Sequence, residues 1–359
     1  MAMLAGEMRL LHTSGALTEN NYGMQIMPHE QQTSSSEGTP SGSPLSLQAV
    51  DRANDRYPQF VSKRTITIPK QKLLSSNDVV FTMGSCFAEE IRRAMAARGQ
   101  TCVPHYKRIA FDPAAVIVDT LPEREHMNFY NAFSICQQIE ELLGLWEPDE
   151  DDYWKIGQLS VKIMPWVGAP NYQDPYRRLI VARTPELLLS TRRAVVAEMR
   201  RAFEEATAFI FTFGMTEVFR SNRSGKIVAQ KPAYAGGGGL AETSRYDSTF
   251  SENLETVRRI VDLIRREKPG APIILSVSPV PLARTFSPSD VVTASLEGKS
   301  ILRAVLGQIV RDYDAVGYLP SYEYVMMQGA TAYRQDDLRH VSPAHVEHIV
   351  DAFFAAFYR

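Results

Sequence analysis

Residues 79 to 98 read as a strand, a sharp turn and a helix in unbroken succession, and this run limits the possible folds more than any other stretch. Val79-Val80-Phe81-Thr82-Met83 is short, apolar and rich in β-formers, and lies between Asn77-Asp78 and Gly84. Such a run is a buried strand. From Phe87 to Arg98 the period changes to that of a helix: Phe87, Ile91, Ala94 and Met95 share one face, Glu89 and Glu90 occupy the first turn, and Gly99 stops it. A strand buried on both sides and feeding directly into a helix belongs to a sheet with helices on its faces.

The same grammar recurs. Helical patterns cover Leu187 to Ala206, Glu252 to Arg266 and Ser300 to Asp312, and buried strands cover Ala208 to Phe213 and Ile273 to Val277. A last helix runs from Pro343 to Phe357 behind Ser342, with Val346, Ile349, Val350, Phe353 and Phe357 as its apolar stripe. The expected class is α/β with a mostly parallel sheet. Ligands of such sheets bind beyond the carboxyl ends of the strands, which places Ser85, Gly214 and Ser278 on one rim. Residues 145 to 185 break the pattern and hold all three tryptophans, so they read as an insertion near that rim. Gly236 to Gly239 read as a mobile surface loop, or else as a lid.

Residues 1 to 55 read as a disordered tail, because Thr33 to Ser46 is almost entirely Thr, Ser, Gly, Pro and Glu and cannot offset its ordering entropy by burial. The folded part is expected over 56 to 359. With 44 % hydrophobic residues the chain has material for a large core, and a formal net charge of −2 gives no basic excess for nucleic acid. Cys86, Cys102 and Cys136 are too few for a disulfide framework, and no stretch has the roughly 20 apolar residues of a membrane span or the pattern of a signal peptide. A cytoplasmic protein is the expectation.

Chemistry concentrates at the first turn. Ser85 follows a strand and opens a helix, where unpaired N–H groups and the positive dipole end favour a developing anion. A serine there can attack a carbonyl, with its own N–H helping to hold the oxyanion. By position alone Ser85 is as readily a helix cap. Asp337-Leu338-Arg339-His340 adds an acid three residues before an imidazole, which lets the carboxylate hold Nδ1–H and leaves Nε2 to accept a proton. Cys86 is a second candidate nucleophile, since a helix N-terminus lowers a thiol pKa. His345 and His348 lack a carboxylate set for a metal and read as surface histidines. No cofactor or metal is expected.

Gly84-Ser85-Cys86-Phe87-Ala88 resembles the signature of the GSCFA family, which belongs among the SGNH-like hydrolases. Further segments resemble that family in order: Phe213 to Glu217, Ser276 to Leu282, Lys299 to Ala304, Leu319 to Glu323 and Asp337 to Ser342. The resemblance implies a three-layer α/β/α flavodoxin-like fold. It also implies a serine nucleophile on the first strand and a late Asp-x-x-His, and so favours Ser85 over Cys86, with His340 as general base and Asp337 orienting it. Related enzymes are esterases, lipases or acyltransferases, often acting on acylated carbohydrates. An ester substrate, small or carbohydrate, is therefore the expected partner.

Departures fall on the oxyanion hole. SGNH-like enzymes add a glycine after the second strand and an asparagine after the third. Here the third strand is followed by Gly214-Met215-Thr216-Glu217, without asparagine, and an ionised Glu217 is acceptor-only. Thr216 or a backbone N–H is the alternative there. Asn128, preceded by Met127 instead of glycine, is the candidate side-chain donor, or else a helix cap. Gly214 and Glu217 are the further oxyanion or substrate-binding candidates. These departures also support a rival reading, a non-catalytic glycan-binding or accessory module that keeps the fold.

Overall fold

The structure is a computed structural model that describes residues 57–64, 66–112, 115–117, 125–156, 171–178, 180–229, 231–232 and 238–359. The expected tail at 1 to 55 lies outside them. Contacts divide the chain into two units, Met1–Arg52 and Ala53–Arg359, and all that follows concerns the second.

A short helix α1 (Tyr57–Lys63) precedes β1 (Val79–Gly84), α2 (Cys86–Ala97) and β2 (Thr101–Val103). After β3 (Ala115–Ile117) come α3 (Ala132–Leu142), β4 (Trp154–Ile156), β5 (Asn171–Gln173), β6 (Ile180–Ala182) and α4 (Pro185–Glu205). Then follow β7 (Ala208–Phe213), β8 (Glu217–Ser221), β9 (Ile227–Val228), β10 (Thr243–Asp247), α5 (Phe250–Glu267) and β11 (Ile273–Val277). The chain closes with α6 (Val291–Asp312), β12 (Val316–Leu319), α7 (Ser321–Gln328) and α8 (Pro343–Phe357).

The central sheet has five strands in the order β12-β11-β7-β1-β2, and every pairing is parallel. Counted along the chain this is the flavodoxin-like order 2-1-3-4-5, whose switch point lies between its first and third strands. Those are β1 and β7, registered Val80 to Ala208 through Gly84 to Thr212. Side-chain alternation sends Phe81, Met83, Phe209, Phe211, Ile273 and Leu275 into the core beneath α3, α4, α5 and α6. Val80, Ala208, Ile210 and Ile274 face the other way, into a second core with α2, α7 and α8. Three layers result, as expected.

Element ends follow local chemistry. Thr249 and Glu252 form a capping box at α5. Thr184 caps α4 just ahead of Pro185, and Asp290 caps α6. α6 begins at Val291, nine residues before the expected Ser300, because Asp290 accepts from the Val292 and Thr293 N–H groups and so starts the helix early. The irregular region at 145 to 185 contributes β4, β5 and β6, which join β3 in a four-stranded antiparallel sheet. It is tied to the main body by a fully buried Arg177, paired with Asp174 at 2.9 Å and with Glu141 of α3. Burial of such a charge is sustained only by that pairing. Gly236 and Gly237 lie outside the described residues. Gly238 and Gly239 pack against β4, where a Cβ on Gly239 would lie 2.6 Å from the Trp154 ring, so these two are a packed contact.

Candidate active site

Three loops meet beyond the carboxyl ends of β1, β7 and β11, and backbone atoms knit them together. Gly84 has φ +152°, and a Cβ there would sit 2.5 Å from the Thr212 carbonyl oxygen, so only glycine allows β1 to turn against β7. The Gly84 carbonyl accepts from Phe129 N–H at 2.8 Å, which draws the 126–131 segment alongside the turn. Tyr130 O then accepts from both Gly214 N–H, at 2.8 Å, and Met215 N–H, at 2.9 Å. Ser278 N–H donates to Phe213 O at 2.8 Å. The rim expected from the strand ends is thus assembled: a Cβ on Gly214 would lie 3.6 Å from Ser278 Cβ and 3.8 Å from Ser85 Cβ.

At the turn, Ser85 and Cys86 are placed differently. Ser85 is 2 % exposed. It is the N-cap of α2, its Oγ accepting from Phe87 N–H at 3.3 Å. The Ser85 N–H donates to Thr212 O at 3.3 Å, which corrects the expectation that it could hold an oxyanion. Cys86 is the first residue of α2 and only partly buried. Its N–H has no hydrogen-bond partner among the described residues, as befits a first-turn donor.

Asp337 and His340 sit in a loop closed on itself. Arg334 N–H donates to His340 O and Leu338 N–H to Arg334 O, both at 2.8 Å, with Leu338 at φ 50°. A non-glycine residue in that region stores on the order of 1–3 kcal/mol of strain. The turn aims Asp337 inward: Oδ1 accepts from the Arg339 and His340 N–H groups at 2.9 Å, and Oδ2 meets His340 Nδ1 at 2.5 Å. These bonds hold the Asp337 carboxyl well below the usual carboxylate range, the His340 ring contributing most. His340 is raised above its ordinary value, first through hydrogen bonding with the Cys86 side chain, while burial opposes; Asp337 adds to the rise and Arg339 offsets it. Cys86 is thus the neighbour that does most to favour the protonated imidazole, whose Nε2 lies 3.5 Å from Arg339 Nη1. Among the described residues Ser85 Oγ makes no hydrogen bond to His340.

The oxyanion candidates also resolve. Gly214 N–H is committed to Tyr130 O, so it is not a free donor. Glu217 lines the cavity but holds its far wall, accepting from Thr285 Oγ1 at 2.5 Å and from Phe286 N–H at 3.0 Å. Asn128 is buried, does not line the cavity, and has no partner for its Oδ1 among the described residues. Asn131, three residues later, does line it. As the cap of α3 its Oδ1 accepts from Ser134 N–H at 2.8 Å, which leaves the amide Nδ2 as the donor end. The sequence signal for Asn131 was present as an N-cap ahead of an apolar run, yet a cap carries no mark of a second use.

The cavity itself measures about 480 Å³ and runs from Ser85 and Cys86 past Asn131, Gly214 and Arg339 to an apolar wall of Val218, Phe219, Val228 and Phe286. Lys231 lines it, whereas Glu323 is turned to Arg303 and Tyr318. Beneath it lies a group that sequence reading missed: Lys299 of α6, 2 % exposed, whose Nζ donates to Gly214 O at 2.8 Å. Burial pushes its ammonium down to about 7, with Cys86 pulling the other way. His345 and His348 flank Tyr324, the latter ring stacked at 5.0 Å.

The model of the GSCFA family matches residues 79–353, from the first strand of the sheet almost to the end of α8. The chain belongs to the GSCFA family. No curated protein matches it. Within this family member, no helix among the described residues is long and apolar enough to cross a membrane.

Proposed function

We propose that this GSCFA protein is an acyl-transfer enzyme, a hydrolase or acyltransferase acting on an ester, with Cys86 as the nucleophile. The observation that carries the reading is the 2.5 Å contact of Asp337 Oδ2 with His340 Nδ1 beside a partly exposed Cys86, which opens a helix on the cavity wall and does most to raise His340. Ser85, the nucleophile that the SGNH-like resemblance favours, serves the turn as its cap. The acylated-carbohydrate class of substrate comes from the same resemblance.

The reaction runs as follows. His340 Nε2 takes the Cys86 thiol proton, and the ion pair so formed is favoured by the helix N-terminus. The thiolate attacks the ester carbonyl, a C–S bond forms, and the oxyanion is held by Cys86 N–H and Asn131 Nδ2. The C–O bond breaks as His340 returns its proton to the departing alcohol. Water or a sugar hydroxyl then attacks the thioester, giving its proton to His340, and the thiolate leaves to recover it. Asp337 keeps the Nδ1 proton in place throughout.

The test is a p-nitrophenyl ester assay on single variants. Cys86→Ala abolishes turnover, and Ser85→Ala retains most of it while losing roughly 1 kcal/mol of stability with the cap. Turnover that survives Cys86→Ala but disappears in a folded Ser85→Ala variant returns the role to Ser85.

A further inference from the structure

Charge is unevenly spread around the cavity. Four cationic residues line it, Arg178, Lys231, Arg284 and Arg339, against one acid, Glu217. That acid is spent on the Thr285 hydroxyl and the Phe286 N–H, and Arg245 approaches it at 3.9 Å. Arg339 meets no acid among the described residues: Nε donates to Pro281 O at 3.0 Å and Nη1 lies 3.5 Å from His340 Nε2. No carboxylate pairs with Arg339 or with the exposed Arg284 among the described residues. Asp337 engages the opposite, Nδ1 side of the imidazole. Lys299, buried below, adds another cation, whose Nζ donates to a carbonyl, Gly214 O, and to no carboxylate among the described residues.

A concave site of one sign with apolar walls concentrates ions of the other sign. Arg339, held by a carbonyl and a ring nitrogen, and the exposed Arg284 line the same cavity as Cys86 and offer guanidinium donors for an oxygen anion. We infer that the ligand of this cavity carries a fixed anion, a carboxylate or a phosphate, bound by Arg339 and Arg284 while its apolar part lies on the wall of Val218, Phe219 and Phe286. Placing the acyl carbonyl next to Cys86 rests on the acyl-transfer reading; the anion site does not.

Two alkylating reagents of nearly equal size test it without any turnover. Iodoacetate is an anion and iodoacetamide is neutral, and both label Cys86, read from the mass of its peptide. The ratio of the two rates, folded over denatured chain, is expected to rise about tenfold or more and to fall with added salt. Arg284→Gln and Arg339→Gln each lower it. A folded ratio no higher than the denatured one overturns the inference. Protection of Cys86 from iodoacetamide by inorganic phosphate but not by succinate assigns a phosphate; the reverse assigns a carboxylate; protection by neither also overturns it. Ester turnover separates the two proposals. A p-nitrophenyl ester with a carboxylate tail should exceed its neutral homologue in kcat/KM. Equal turnover of both removes the anion site and keeps acyl transfer, whereas an iodoacetate preference with no ester turnover keeps the anion site and removes acyl transfer.

Discussion

Lys299→Met should change how stability depends on pH, and its size can be worked from burial alone. Lys299 is sealed in the core with one acceptor, Gly214 O, and its ammonium is pushed down from 10.5 to about 7. Below pH 7 it is charged in both folded and unfolded chains, so the native state carries the whole cost of burying the charge. Between about 7 and 10.5 the unfolded chain binds more protons than the native one, and stability therefore rises with pH. At about 1.4 kcal/mol for each pH unit, the cost is on the order of 5 kcal/mol at pH 6 and about 2 kcal/mol at pH 9. Methionine fills a similar volume and removes that dependence, while leaving Gly214 O without its donor, a loss of about 1–3 kcal/mol at every pH. Urea unfolding of both proteins at pH 6 and pH 9 gives the difference of differences. Methionine should gain about 3 kcal/mol relative to lysine on going from pH 9 to pH 6. A gap between the two proteins that is the same at both pH values would falsify the reasoning, because it would mean that Lys299 titrates alike in the folded and unfolded chains.

Three other outcomes are expected. Asp337→Asn removes the acceptor that fixes the Nδ1 proton of His340, and ester turnover at neutral pH should fall about 10²–10⁴-fold with little change in KM. In Cys86→Ala the His340 imidazole loses its strongest support, so its titration, followed by ring-proton NMR, should move to lower pH; an unchanged midpoint would separate the thiol from the imidazole. Gly84→Ala forces a Cβ against Thr212 at a φ of +152°, and thermal unfolding should report a loss of about 3 kcal/mol or more.

The layered fold was legible because its signals are local. β11 and α8 lie where alternation and apolar stripes put them, and β1 and α2 differ by a residue at their ends. Strands that are short or polar gave no such signal: β8 and β10 pair through a register visible only once Ser221 meets Thr243 and Glu217 meets Asp247. At the site, the pairing of Asp337 with His340 was readable from a three-residue spacing. The choice between Ser85 and Cys86 was not, since both occupy the same turn, where Ser85 is the buried cap and Cys86 the more exposed of the two. Asn131 and Lys299 were missed for a related reason. One sits in a helix cap and the other in an ordinary helical run, and their place at the site depends on partners more than 80 residues away, such as Gly214.

The two hydrogen bonds that the Gly214 and Met215 N–H groups donate to the Tyr130 carbonyl have an evolutionary consequence. The parts that fix the reacting groups relative to each other are main-chain atoms, which no substitution other than proline deletes. The parts that meet the ligand, from Val218 and Phe219 to Arg284 and Phe286, are side chains on separate segments. Members of the family could exchange that wall residue by residue, and so change what they accept, without loosening the turn at which the chemistry is placed.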